Sequence, residues 1–226
     1  MNQHQKQALI LCGGWEGHQP AEVAAIFAGE LQTHDFAVTI AQTLDALLDD
    51  DLLAKVDLII PIYTMSSISQ EQLRALLQAV QRGVGIGGVH GGMCDAFRQE
   101  TEYQFMTGGQ WVAHPGGDTV TYAVHITRLD HFITAGVQDF QITSEQYYLH
   151  VDPANQVLAT THFPTVDGPH IPNGSVEMPV VWTKYYAQGR VFYCSIGHQA
   201  HNVRQPEVLR LCARGLLWAA HAEDRV

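Results

Sequence analysis

The sequence predicts an α/β fold with a mostly parallel, doubly wound central sheet, and three observations predict it. Short apolar runs at 8–12, 57–63 and 85–89 alternate with segments whose apolar residues recur at helical spacing. The runs are continuous rather than alternating, the pattern of parallel strands covered on both faces. They also end in glycines or turn residues, and strand–helix alternation of this kind winds in right-handed crossovers.

Each element can be justified in order. Residues 8–12 form a first strand closed by Gly13 and Gly14, and 15–20 the loop after it. Val23, Ile26, Phe27 and Leu31 mark a first helix over 20–33, with Pro20 acceptable in its first turn. A second strand follows at 36–41. Leu44, Leu47, Leu48, Leu52 and Leu53 then mix with Asp49, Asp50 and Asp51 in helical or turn structure, the acidic run being solvated. The third strand, 57–63, contains Pro61, which cannot donate a ladder bond and belongs near its end. Ser69 and Gln72 have the spacing of a capping box before Leu73, Leu76, Leu77 and Val80. The fourth strand, 85–89, runs directly into His90.

The middle of the chain is less regular. Residues 99–117 read as an ordered surface loop with short helical turns, 119–126 as a strand, 141–148 as a segment near the sheet and 157–161 as another strand. Pro164, Gly168, Pro169, Pro172 and Gly174 make 162–176 a loop. Residues 180–186 and 190–195 form a hairpin around Ala187, Gln188 and Gly189. From Pro206 a last helix presents Leu209, Cys212, Ala213, Leu216 and Leu217 as a core-facing stripe. With neither repeat nor linker, 1–226 is expected to be one domain.

Composition narrows the partners. A net charge of −11 with 12 Lys and Arg argues against nucleic acid, which is held by clustered cations. No apolar run approaches the roughly 20 residues of a membrane span, and Met1 to Gln7 is polar, so a cytoplasmic protein without membrane contact is expected. Cys12, Cys94, Cys194 and Cys212 lie far apart and read as buried free thiols.

Thirteen histidines are the unusual count. His90 sits at the centre of Gly88-Val89-His90-Gly91-Gly92, a strand-to-helix turn of the kind that lifts one side chain from the carboxyl edge of a sheet. A nucleophile elbow would carry Ser or Cys there, whereas an imidazole points to proton transfer or metal ligation. The plainer alternative is a tight turn with His90 as a half-exposed loop residue. His18 and His198 also follow strand runs, and ligand crevices of open parallel sheets lie outside those ends. Glu145, with Glu16 as a further carboxylate, completes a set that could hold Zn2+ or a similar divalent ion through His18, His90 and His198, or act without metal as general acid and base. Trp15 and Trp111, in Gly-rich loops, are candidate substrate contacts, with His114, Tyr147 and His150 beside them. Trp182 reads as packing. Asp95 and Arg98 form an expected ion pair just past the turn.

These residues resemble the ThuA-like (trehalose utilisation) family, within the class I glutamine amidotransferase-like group. The resemblance rests on Gly88 to Gly92 with Asp95-Ala96-Phe97, Gly108-Gly109-Gln110-Trp111 with His114-Pro115, Ser144-Glu145-Gln146-Tyr147, Pro179 to Trp182, and Gly189 to Tyr193 followed by Gly197-His198. It covers nearly the whole chain. It implies a flavodoxin-like three-layer sandwich and a carbohydrate-metabolism enzyme acting on a disaccharide or keto-sugar, as a hydrolase or isomerase, with no nucleotide cofactor. The alternative is a non-catalytic sugar-binding or accessory protein; a homo-oligomer is compatible with either. The chain departs from the amidotransferases at the elbow, where His90 replaces the thiol, and at Gln199-Ala200, where a Pro-Glu pair would supply a triad carboxylate. Glutaminase chemistry is therefore not expected.

Overall fold

The first strand, β1 (Lys6–Cys12), divides its side chains between two cores: Ala8, Ile10 and Cys12 face one, Leu9 and Leu11 the other. That division explains its unbroken apolar run. The computed structural model describes residues 5–225; residues 1–4 of the polar amino-terminal stretch and Val226 lie outside them. In chain order the elements are β1, α1 (Pro20–Thr33), β2 (Phe36–Ala41), α2 (Asp50–Leu53), β3 (Leu58–Ile62), α3 (Gln70–Gln81), β4 (Gly85–Val89), α4 (His90–Cys94) and α5 (Thr101–Thr107). They continue with β5 (Gly109–Ala113), β6 (Thr121–Ile126), β7 (Phe140–Thr143), β8 (Tyr148–Val151), β9 (Gln156–Phe163), β10 (Val176–Tyr186), β11 (Gly189–Cys194), α6 (Ala200–Val203) and α7 (Pro206–Ala219).

Among the described residues the main sheet has the order β2-β1-β3-β4-β11-β10-β9-β6-β7. Its first five strands are parallel, which brings the ends of β1, β3, β4 and β11 to one edge. From β11 outward the pairs are antiparallel. One face is covered by α1 and α7 through residues such as Phe27, Leu31, Leu211 and Leu216, and the other by α3 and α5 through Leu73, Leu76, Tyr103 and Met106. The result is the expected three-layer, flavodoxin-like sandwich. Each of these buried large side chains contributes about 1.5–3 kcal/mol relative to exposure.

Ser69 and Gln72 form the capping box of α3, Asp49 caps α2 within the exposed acidic run, and Pro61 is the penultimate residue of β3. Four expectations need correction. The segment 99–117 is not mainly loop: it contains α5 and β5, the latter paired with β8 in a separate antiparallel ribbon. The 141–148 segment is two strands, β7 and β8, interrupted at 144–147. The 162–176 loop is shorter, because β9 extends to Phe163 and pairs with the start of β10 at Val176. Leu209 is only partly buried; the stripe of α7 is rotated toward Val208, Leu211 and Cys212, where Gly215 lets the helix close on Phe192.

Candidate metal and substrate site

Backbone bonds bring the loops after β1 and β3 together: Gly13 N–H donates to Ile62 O at 2.9 Å and Trp15 N–H to Thr64 O at 3.0 Å. The single turn of 3-10 helix at Glu16–His18 then directs His18 inward, where it is 7% exposed. His90 begins α4 with φ +48°, a left-handed conformation rare outside glycine, and is 1% exposed. It is thus a buried elbow residue, not the half-exposed loop residue of the plainer alternative. Gly91 beside it has to lack a side chain, since a Cβ there would lie 2.7 Å from His18 Cε1. His198 follows β11. Glu145 enters from the β7–β8 connection, anchored by Tyr122 Oη donating to its carbonyl at 3.1 Å and by the Gln146 amide donating to Thr161 and the His162 carbonyl.

One ligand atom from each of His18, His90, Glu145 and His198 lies within 4.8 Å of all the others, and all four residues are buried. The outer ring nitrogens are committed elsewhere. His18 Nδ1 is 2.9 Å from Thr64 Oγ1, and His90 Nδ1 is 2.8 Å from the Ser195 carbonyl. His90 Nε2 faces Glu145 Oε2 at 3.0 Å. His198 Nδ1 lies 3.4 Å from Glu145 Oε1 without hydrogen-bonding alignment, and so is a buried nitrogen with no partner; its Nε2 is 3.9 Å from Asp118 Oδ2. Outer nitrogens held by oxygen, with inner nitrogens converging beside a carboxylate, is the arrangement in which second-shell groups orient metal-binding imidazoles. The donor set therefore fits a divalent ion of the Zn2+ type.

Electrostatics agree with ligand-ready side chains. Burial, followed by the neighbouring His90 and His198, pushes His18 down to about 3, so it is neutral near pH 7. Burial likewise lowers His90, outweighing the hydrogen bond to Glu145. Burial would raise Glu145, but the close His198 ring and the hydrogen-bonded His90 hold it well below the usual carboxylate range.

A cavity of about 160 Å3 opens beside the cluster, lined by Trp15, Trp111, His114 and Tyr147 among others. Wider grooves lie between α1 and α7 (about 340 Å3) and beside β5 and β8 (about 520 Å3), but the histidine–carboxylate cluster is at neither. Tyr147 stacks on His90 with centroids 3.8 Å apart. His150 is not brought to the site: it is exposed on β8 opposite Gln110 and lines the groove beside the ribbon. Strand alternation sends it away from the side on which Tyr147 and Glu145 converge. Glu16 is exposed, leaving Glu145 as the carboxylate of the cluster. Trp182 is core, its Nε1 donating to Thr107 O at 3.0 Å. Thr64, Ser195 and Asp118 were not singled out from sequence, although Thr64 and Ser195 sit just past strands and the strand-end rule reaches them. Cys94 is buried, and desolvation raises its thiol far from thiolate formation.

Among solved structures the chain is similar to a ThuA-like protein from Parabacteroides merdae, with TM-score 0.77 and 18% identity over 96% of this chain and 90% of that one. A ThuA-like protein from Bacteroides uniformis gives TM-score 0.76 and 19% identity, covering 97% and 93%. A glutamine amidotransferase from Thermotoga maritima shares the fold at TM-score 0.55 and 9% identity, covering 85% and 76%. No match is found among curated proteins. The family model described as trehalose utilisation matches residues 7–219, so the chain belongs to the ThuA family and has, at family level, a carbohydrate-related role.

Proposed function

We propose that the protein is a metal-assisted enzyme acting on a disaccharide or keto-sugar. The supporting observation is the buried meeting of three imidazoles and one carboxylate, with ligand atoms within 4.8 Å, beside a cavity rimmed by indoles. His18, His90, His198 and Glu145 would hold the ion, which when bound supplies Lewis acidity toward a carbonyl or hydroxyl oxygen. Thr64 and the Ser195 carbonyl orient two of the rings, and Tyr147 excludes water from one face of His90. No thiol is available for acyl transfer, since His90 occupies the elbow and Cys94 is buried.

The test is elemental analysis of the purified protein, followed by turnover of trehalose and its keto derivatives by the wild type and His90→Ala. Bound metal near one equivalent, with at least about a hundredfold lower turnover in the variant, is expected. An unchanged rate in His90→Ala would remove the catalytic role. Turnover by metal-free protein would leave acid–base chemistry by the same residues, and sugar binding without turnover would indicate an accessory protein.

A further inference from the structure

We infer that the cavity is a subsite for one uncharged sugar ring, in which Trp111 Nε1 donates a hydrogen bond to a ligand oxygen and Trp15 is the stacking platform. This rests on the carbohydrate reading and assigns different tasks to the two indoles.

Trp111 Nε1 is buried yet has no hydrogen-bond partner in the protein. An indole nitrogen only donates, so its missing partner is an acceptor. The ring itself is already enclosed by the protein. The Arg98 guanidinium lies 4.7 Å from its centroid, His114 is 5.5 Å away and Tyr147 6.1 Å. Trp111 therefore offers its polar edge rather than a free face. A second orphan borders the same cavity: His114 Nδ1 is buried, unpartnered and 3.7 Å from Glu145 Oε1, beyond hydrogen-bond distance. Two residues that line the cavity thus each carry a buried, unsatisfied nitrogen, which matches the several oxygens of a polyol ring.

Trp15 differs in being 46% exposed at the rim, its ring 4.8 Å from that of His18. Gly17 makes room for it, because a Cβ there would come within 2.3 Å of the indole. An exposed, positioned indole beside polar orphans suits the apolar C–H face of a sugar.

Size and charge restrict the ligand further. The cavity, about 160 Å3, is roughly half the lower bound of about 300 Å3 for drug-sized ligands, so it admits one ring and leaves the rest of a disaccharide outside. Among the described residues Arg98 is the only Lys or Arg lining it, and its guanidinium is held by both oxygens of Asp95. Its charge is offset by Asp95, and Glu145 adds a further carboxylate, so the lining opposes a phosphate.

The test is calorimetric binding of methyl α-glucoside, trehalose, glucose and glucose 6-phosphate to the full chain as purified. Trehalose and methyl glucoside are expected to agree within about threefold and glucose 6-phosphate to bind at least about tenfold more weakly than glucose. Trp111→Phe, which keeps a ring and loses the N–H, and Trp15→Ala are each expected to weaken methyl glucoside by about tenfold, with folding checked by thermal melting. Tighter binding of glucose 6-phosphate than glucose, trehalose more than about tenfold tighter than methyl glucoside, or a folded Trp111→Phe binding like wild type would each overturn the subsite. The sugar comparisons need no variant. Failure of every sugar to bind wild type would overturn the carbohydrate reading itself and the subsite with it.

Discussion

Nε2 of His90 lies 3.0 Å from Oε2 of Glu145, while the opposite nitrogen of the same ring is committed to the Ser195 carbonyl at 2.8 Å. Both partners accept, and a neutral imidazole has a single N–H. The arrangement therefore calls for positive charge at the centre, and burial opposes putting it on the His90 ring as a proton. A divalent ion held by His90 and Glu145 would resolve the conflict. Glu145→Gln replaces one acceptor by an amide that can donate to Nε2, so the fold should tolerate it while metal affinity falls at least about tenfold. Chelator competition measures this, and equal affinity in the variant would contradict a ligand role for Glu145.

Gly91→Ala should disable the centre without altering any ligand. The new Cβ would lie 2.7 Å from His18 Cε1, 2.9 Å from His18 Nδ1 and 2.9 Å from Thr64 Cγ2. Thr64 and His18 cannot both keep their places, so the Nδ1–Oγ1 contact that aims the ring is lost. Metal affinity is expected to drop by about 10–100-fold, the usual cost of losing a second-shell partner. A variant with wild-type metal affinity would show that His18 needs no such aiming.

Why the histidines could be found before the fold was known, and some of their neighbours could not, follows from sheet geometry. The strand-end rule marked His90 after β4 and His198 after β11, and the structure brings them together because β11, read from sequence only as one arm of a hairpin, lies parallel to β4 and beside it. The parallel, doubly wound sheet followed from the unbroken runs, and the three-layer sandwich from the family resemblance. Glu145 was harder, because it lies between two short antiparallel strands whose separation at 144–147 has no strong signal. His150 went wrong for the same reason: along β8 neighbouring side chains take opposite sides, and sequence alone does not fix the side. The ribbon that carries Trp111 and positions His114 was read as loop because β5 is five residues long, with a register shift between Trp111 and Ala113.

The low pKa of His18 predicts acid sensitivity of the metal-free protein. Its folded value, about 3, lies below the unfolded value of 6.5, so between these limits the unfolded chain binds more protons and stability falls as pH falls. The contribution is complete above the unfolded value and is lost on acidification toward the folded one. From pH 7 to pH 5, His18 alone should cost about 2 kcal/mol, at about 1.4 kcal/mol per unit below 6.5. The depressed Glu145 carboxyl adds to the loss at still lower pH. Urea unfolding with chelator present should show a smaller loss in His18→Gln than in wild type, and equal losses would assign the acid sensitivity elsewhere.

The Asp95–Arg98 pair supports the cavity wall and should show its own pH signature. Asp95 is 3% exposed and accepts from both Nε and Nη2 of Arg98, the latter at 2.9 Å, while the guanidinium covers Trp111. Burial already raises the Asp95 carboxyl despite this partner. Removing the guanidinium in Arg98→Ala leaves a buried carboxylate unpaired. A fully buried pair would cost more, but the Arg98 side chain is 40% exposed, and solvent screening reduces the expected loss to about 1–2 kcal/mol at pH 7. Because the folded value is raised, the folded protein binds the proton more readily than the unfolded chain. The stability gap between wild type and Arg98→Ala should therefore narrow as pH falls toward the unfolded value and protonated Asp95 no longer needs its partner. A gap that stays constant with pH would mean that the loss comes from packing against Trp111 rather than from the charge left on Asp95.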